Sequence, residues 1–185
     1  MQLSIPQEWV DTLKKVQEVF PLAKIAGGAL RDLQYNRQVK DVDIFIPISR
    51  TEDSTASEVN VLAAIQRIEE IFDTVVTPTI PVYFKETTED FIKAGRLLET
   101  VQNTQIGDTH YELIIGTPES CDIEKFDFSI CQISYDGTDL KTTEAYRRTL
   151  DTGLIEFNKD WRTPSRAKER IAKMKAKFPD LKMDV

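Results

Sequence analysis

Histidine is almost missing from this sequence, cysteine is scarce, and cations are outnumbered: 185 residues hold one histidine, two cysteines, and 24 lysines and arginines against 31 acidic residues. Cys121 and Cys131 form no C-x-x-C and have only His110 for company, which excludes a structural zinc site and reads as two reduced thiols. A net charge of −7 excludes a protein that coats nucleic acid without regard to sequence. No apolar run approaches the ~20 residues of a membrane span, and no basic stretch followed by an apolar one opens the chain. A cytoplasmic protein with no membrane partner is the default expectation. Internal repeats and low-complexity linkers are also missing. What remains, at 41% hydrophobic and 30% charged residues, is an ordinary globular chain long enough for one core.

The apolar spacing of Trp9, Val10, Leu13, Val16, Val19 and Phe20 predicts a helix from Pro6 to Phe20, with Ser4 as its cap and Pro21 as its stop. A strand, Leu22 to Ala26, follows. After a polar, proline-interrupted loop, Val59 to Phe72 keeps a helical stripe, and Thr74 to Phe84, broken by Pro78 and Pro81, suits at best an edge strand. Thr87 to Arg96 reads as a short helix. Leu97–Gln105 and His110–Gly116 read as two strands joined at Gly107-Asp108, with His110, Glu112 and Ile114 on one face of the second. Phe126 to Tyr135 reads as a strand closed by the Asp136-Gly137 turn. Thr142 to Leu150 is a predicted helix stopped by Gly153, and Leu154 to Phe157 a short extended run. Pro164 to Phe178 is the last predicted helix. Lys159 to Lys177 carries eight cations against two anions, a basic end on an acidic body that suits either phosphates or water.

The stretch around which the rest is arranged is Leu22 to Ile46. Val42 to Ile46 has the β-branched and aromatic content of a strand, so Asp41 and Asp43, two apart, point to one face roughly 7 Å from each other at the backbone. Such a pair suits one or two magnesium ions that keep open positions for phosphates. Gly27 and Gly28 stand where the preceding strand gives way to a helix, allowing unusual backbone angles and clearing side chains from a ligand's path, with an anion-attracting helix start behind them. Glu112, amid Leu and Ile, is either a solvent-facing glutamate or a third metal carboxylate.

The combined pattern G-G-x-x-R-D…D-x-D, made by Gly27, Gly28, Arg31, Asp32, Asp41 and Asp43, resembles the catalytic signature of the nucleotidyltransferase superfamily. The version it resembles is that of CCA-adding tRNA nucleotidyltransferases and bacterial poly(A) polymerases. Downstream, D-F-S-I-C-Q-I from Asp127 is similar to that family's R-R-D-F-T-I-N-A motif, with Lys125 and Phe126 where the family has two arginines. The run from Arg170 to Phe178 faintly echoes the helix that opens the family's neck region. The resemblance covers the catalytic head, with no counterpart of the neck and body in these residues.

That likeness implies an α+β fold, a nucleotidyltransferase-like mixed β-sheet flanked by helices, with a head at 1–158 and the basic amphipathic helix of 159–185 packed on the same domain. It implies transfer of a nucleoside monophosphate from a nucleoside triphosphate (NTP) to a hydroxyl, using two Mg2+ ions on Asp41, Asp43 and a third carboxylate, Glu112 or Asp127. Gly27, Gly28, Arg31, Lys125 and Asp127 would bind the nucleotide, Arg31 either touching it or bracing Asp32. Arg166, Arg170 and Lys173 would meet an acceptor phosphate. The acceptor would be an RNA 3′ end or a hydroxyl on a protein or small molecule, with a partner protein as a source of specificity. A non-catalytic nucleotide-binding regulator is the third reading, and it leaves two adjacent carboxylates without a use.

Overall fold

The computed structural model describes residues 3–48, 63, 66–73, 77–79, 100–159 and 164–185. The predicted helix at Thr87–Arg96 and the first part of that at Val59–Phe72 lie outside the described residues, as does most of the edge strand at Thr74–Phe84.

Helix α1 (Gln7–Gln17) buries Trp9, Val10, Leu13 and Val16 as their spacing requires. Its start departs from expectation. Pro6, not Ser4, stands at the N-cap, because its fixed φ of −55° already leads into the helix and its carbonyl accepts from Trp9 N and Val10 N. Strand β1 (Lys24–Ala26) runs into the Gly27 turn and helix α2 (Gly28–Gln34), and β2 (Val42–Pro47) returns antiparallel to β1. Residues 66–72 form helix α3, and 77–79 form β3, at the edge of the sheet among the described residues, where Pro78 is tolerated. The hairpin β4 (Thr100–Ile106) and β5 (Thr109–Gly116) turns at Gly107, whose φ is +59°.

FDFSICQISY is not one strand. Ser129–Cys131 forms a 3-10 turn, and only Ile133–Tyr135 is a strand, β6. The Ser129 hydroxyl lies 2.6 Å from Thr149 Oγ1 and accepts from Glu156 N at 2.9 Å, so side-chain bonding holds this segment against its neighbours instead of in a ladder. Strand β7 (Leu140–Thr142), helix α4 (Glu144–Thr152) and β8 (Leu154–Glu156) follow, with Thr143 capping α4 and Gly153 ending it at φ +69°. The C-terminal helix (Pro164–Lys177) leads into β9 (Lys182–Asp184), which pairs parallel with β8 and had no sequence signal.

Among the described residues, seven strands make one mixed sheet in the order β3-β4-β5-β2-β1-β6-β7, in which β2 and β5 are the parallel neighbours. Its two faces have different fates. Ile25, Val42, Ile44, Ile46, Tyr111, Leu113 and Ile115 join Leu13 and Val16 of α1, Leu30 of α2, Ile68 and Tyr146 in the main core. The opposite face has a smaller apolar group, Ala26, Phe45, Cys121 and Ile123, with Ile114 and Phe126 against it. A third group, Phe128, Ile130, Ile155, Met174 and Phe178, fastens the C-terminal helix and β8 to the 3-10 turn. No helix among the described residues is long and apolar enough to cross a membrane.

Candidate active site

Asp43 sits on the second face because period-2 alternation sends Val42 and Ile44 to the core. The parallel register aligns Asp43 with Glu112 of β5. One step back, beyond the start of β2, Asp41 Oδ1 lies 3.2 Å from His110 Nδ1, and Lys40 Nζ is 3.0 Å from Asp41 Oδ2. Asp41 therefore has donors on both oxygens, whereas Asp43 has a like charge for a neighbour.

The electrostatics follow that difference. Burial, then Glu112, then Asp41 push the Asp43 carboxyl up to about 8, against smaller opposing effects of Arg31 and Arg170. Among the described residues, no three His, Cys, Asp or Glu side chains are gathered as a ready-made metal cage. The donor chemistry nonetheless suits a hard divalent cation: an oxygen-only pair whose mutual repulsion such an ion would relieve.

The glycine turn lies against Asp43. A Cβ on Gly28 would stand 3.8 Å from Asp43 Oδ2 and 3.7 Å from Arg31 Nη2, and one on Gly27 would stand 3.9 Å from Asp43 Oδ2 and 3.3 Å from the Phe126 ring. It is Gly27, at φ +80° and ψ −123°, that needs glycine's conformational freedom, while Gly28 opens α2 with ordinary angles. The two positions should separate experimentally. Gly27→Ala is expected to lower stability by about 1–3 kcal/mol, seen in urea melts. Gly28→Ala should melt within ~1 kcal/mol of the parent, since its Cβ meets only ordinary contacts.

Arg31 is bonded to its neighbour Asp32 and to Cys131. Its Nε donates to Asp32 Oδ1 at 2.8 Å and its Nη1 to Cys131 Sγ at 3.2 Å, and the guanidinium lies over the Phe178 ring. Burial opposes its charge, but Cys131 and Asp32 outweigh that and hold it above its ordinary range. Asp32 also accepts from Lys177 Nζ at 2.5 Å. Asp127, 4% exposed, is paired with the Arg170 guanidinium, so two basic residues of the C-terminal helix reach inward to buried carboxylates. Lys173 instead pairs with Glu169 on the outer surface, and Arg166 lies in the first turn of that helix, its side chain outside the described residues. Lys125 is exposed at the end of a 3-10 turn, Ile123–Lys125.

Three neighbours of the site escaped the sequence reading. His110 has no role in the sequence-based expectation, although its place two residues before Glu112 on one strand face is the signal that finds it. Phe126, read only as a lost arginine, packs its ring 5.0 Å from that of Phe45, beside the glycine turn. Lys177 belonged to a predicted basic stripe, and nothing local in the sequence pairs it with Asp32.

Solved structures similar in fold to this chain include tRNA-processing and CCA-adding enzymes. A tRNA-processing enzyme in an apo form superposes with a TM-score of 0.66 at 16% identity, covering 100% of this chain and 46% of that one. The Thermotoga maritima CCA-adding enzyme complexed with tRNA gives 0.62 at 16% identity, covering 100% and 41%. The Bacillus stearothermophilus CCA-adding enzyme in complex with CTP gives 0.63 at 14% identity, covering 96% and 40%. The chain thus spans less than half the length of each, and the likeness is one of fold: α+β, nucleotidyltransferase-like. No curated protein matches the sequence. A family model does, over residues 5–153, that of the Gabija anti-defense 2 (Gad2) proteins; covering most of the chain, the match shows that this protein belongs to that family.

Proposed function

We propose that this protein transfers a nucleoside monophosphate from an NTP to an acceptor hydroxyl with release of pyrophosphate. The observation that carries the reading is the alignment of Asp43 with Glu112 in the parallel strand pair, against the Gly27-Gly28 backbone. Asp41, Asp43 and Glu112 would hold two Mg2+ ions, with Glu112 preferred to Asp127 because Asp127 is engaged by Arg170. Bound ions supply a lowered pKa for the acceptor hydroxyl and charge neutralisation at the leaving phosphates. The chain contributes the rest. Gly27 and Gly28 keep side chains out of the way of the triphosphate, and Arg31, fixed by Asp32, adds positive potential beside Asp43. Lys125 would reach phosphates from its exposed turn, and the Asp127–Arg170 pair would lie against the nucleotide.

The acceptor favoured by the structural relatives is an RNA 3′ end, with Arg166 and Lys173 supplying cations toward its backbone, while Arg170 is engaged by Asp127. The family match favours a second reading, in which the acceptor hydroxyl belongs to a protein or small molecule of the Gabija defence that the family is named for opposing. Incubation with each labelled triphosphate and total RNA, then with extract from cells carrying that defence, decides between them by which fraction takes label. Absence of label in both, with the protein folded and Mg2+ present, refutes the reading.

Base choice should be weak. The residues named above hold triphosphate, ribose and ions, which all four nucleotides share, and none is placed to read a base edge. Given a tRNA lacking its last three nucleotides together with CTP and ATP, the isolated protein should add one or a few nucleotides without building an ordered CCA end. Sequencing the product ends checks this.

A further inference from the structure

We propose that His110 is a positioning residue of the acidic site, one whose imidazole fixes the carboxylate of Asp41. The inference rests on the reading of Asp41 as a cation ligand. Its support is the strand register. Val42 aligns with Tyr111 and Asp43 with Glu112, so on the exposed face the neighbour of Asp41 is His110, and the 3.2 Å contact between Nδ1 and Oδ1 realises that pairing.

Asp41 has reason to need such a partner. It lies one residue before β2 begins, outside the ladder that orders Asp43. Its other contact, Lys40, belongs to a side chain 88% exposed, and an exposed lysine pair contributes little order. His110 is different, because its backbone is held in β5 between two strands and only two torsions separate the ring from the main chain. An ionised carboxylate can only accept, so Nδ1 carries the hydrogen, as it does in one neutral tautomer and in the imidazolium alike. The contact therefore does not depend on the ring's charge. With Oδ1 held by the ring, Asp41 keeps Oδ2, where the exposed Lys40 is readily displaced, for a cation shared with Asp43.

Orientation of a ligand from behind is worth roughly 10–100-fold in metal affinity where it has been removed from other proteins. The test is direct titration with Mn2+, followed by the ion's paramagnetic resonance signal, on the full chain and three variants. His110→Ala should bind Mn2+ about 10–100-fold more weakly than the parent at an unchanged melting temperature. His110→Asn, whose amide nitrogen falls near the place of Nδ1, should recover most of that loss. Equal binding by His110→Ala and the parent overturns the proposal, as does a failure of Asn to improve on Ala. Asp41→Asn separates the two layers: if it loses Mn2+ binding while His110→Ala does not, only the role of His110 has failed, and if it binds like the parent, the reading of Asp41 has failed with it.

Discussion

Asp43→Asn should abolish nucleotidyl transfer and at the same time make the protein harder to unfold at alkaline pH when divalent ions are chelated. The folded protein holds the Asp43 carboxyl up to about 8, whereas an aspartate in the unfolded chain titrates near 3.9. Between those values the folded state binds a proton that the unfolded state has released, so stability falls as pH rises across the interval. Below it both states are protonated and the group contributes nothing. Above it the full penalty of an ionised carboxylate beside Glu112 and Asp41 is present. The carboxyl keeps some contact with water, so the penalty at pH 8.5 is on the order of 2 kcal/mol rather than the ~6 that complete burial would imply. For a chain of this size that is a rise of about 4–8 °C in the melting temperature of the Asn variant. The two proteins should converge near pH 4, and saturating Mg2+ should stabilise the parent alone. Melting curves across pH, with chelator and with Mg2+, are the measurement. A variant no more stable than the parent at pH 8.5 would show that Asp43 does not carry the strain assigned to it.

Asp32→Ala should be the most destabilising of the substitutions considered, by about 3–5 kcal/mol, because it takes the carboxylate away from the buried Arg31 and from the partly exposed Lys177. Arg31 would be left 8% exposed with a thiol and a ring for company, and Lys177 would lose its carboxylate. The loss should appear first at the C-terminus. In hydrogen exchange, amides of the C-terminal helix and β9 are expected to lose protection before those of β2 and β5, since they would be left with the Asp127–Arg170 pair, the short β8–β9 ladder and the packing of Met174 and Phe178. Asp32→Asn keeps an acceptor for Arg31 and should cost distinctly less. Uniform loss of protection along the chain would mean that the ion set supports the whole fold instead of docking one helix.

The parts legible in the sequence were those with a local cause. The β4–β5 hairpin announced itself through Gly107-Asp108 and strict alternation, α4 through Gly153, and the acidic strand through its β-branched run between Asp41 and Pro47. The alternation that separated His110, Glu112 and Ile114 from Tyr111, Leu113 and Ile115 is reproduced in their burial. What stayed hidden needed tertiary partners. FDFSIC has strand propensity throughout, yet Ser129 finds Thr149 and Glu156, residues about twenty positions or more away, and turns. β9 exists only because β8 offers it an edge. The inward course of Arg170 and Lys177 depends on Asp127 and Asp32, so a stripe that reads as solvated cations is half committed to the interior.

The parallel pairing of β2 with β5 in the main sheet has a kinetic consequence. Every other junction in the main sheet is antiparallel, and β4–β5, β6–β7 and β1–β2 join strands that are close in sequence, pairings that the chain can reach quickly. The junction of β2 with β5 must instead wait for the chain to travel from Pro47 round to Thr109, a closure whose entropy is lost before any contact returns it. Asp43 and Glu112 meet across that late seam and repel each other as it zips. The repulsion between these two carboxylates should slow the assembly of the strands that carry them, and divalent ions present during folding should speed it.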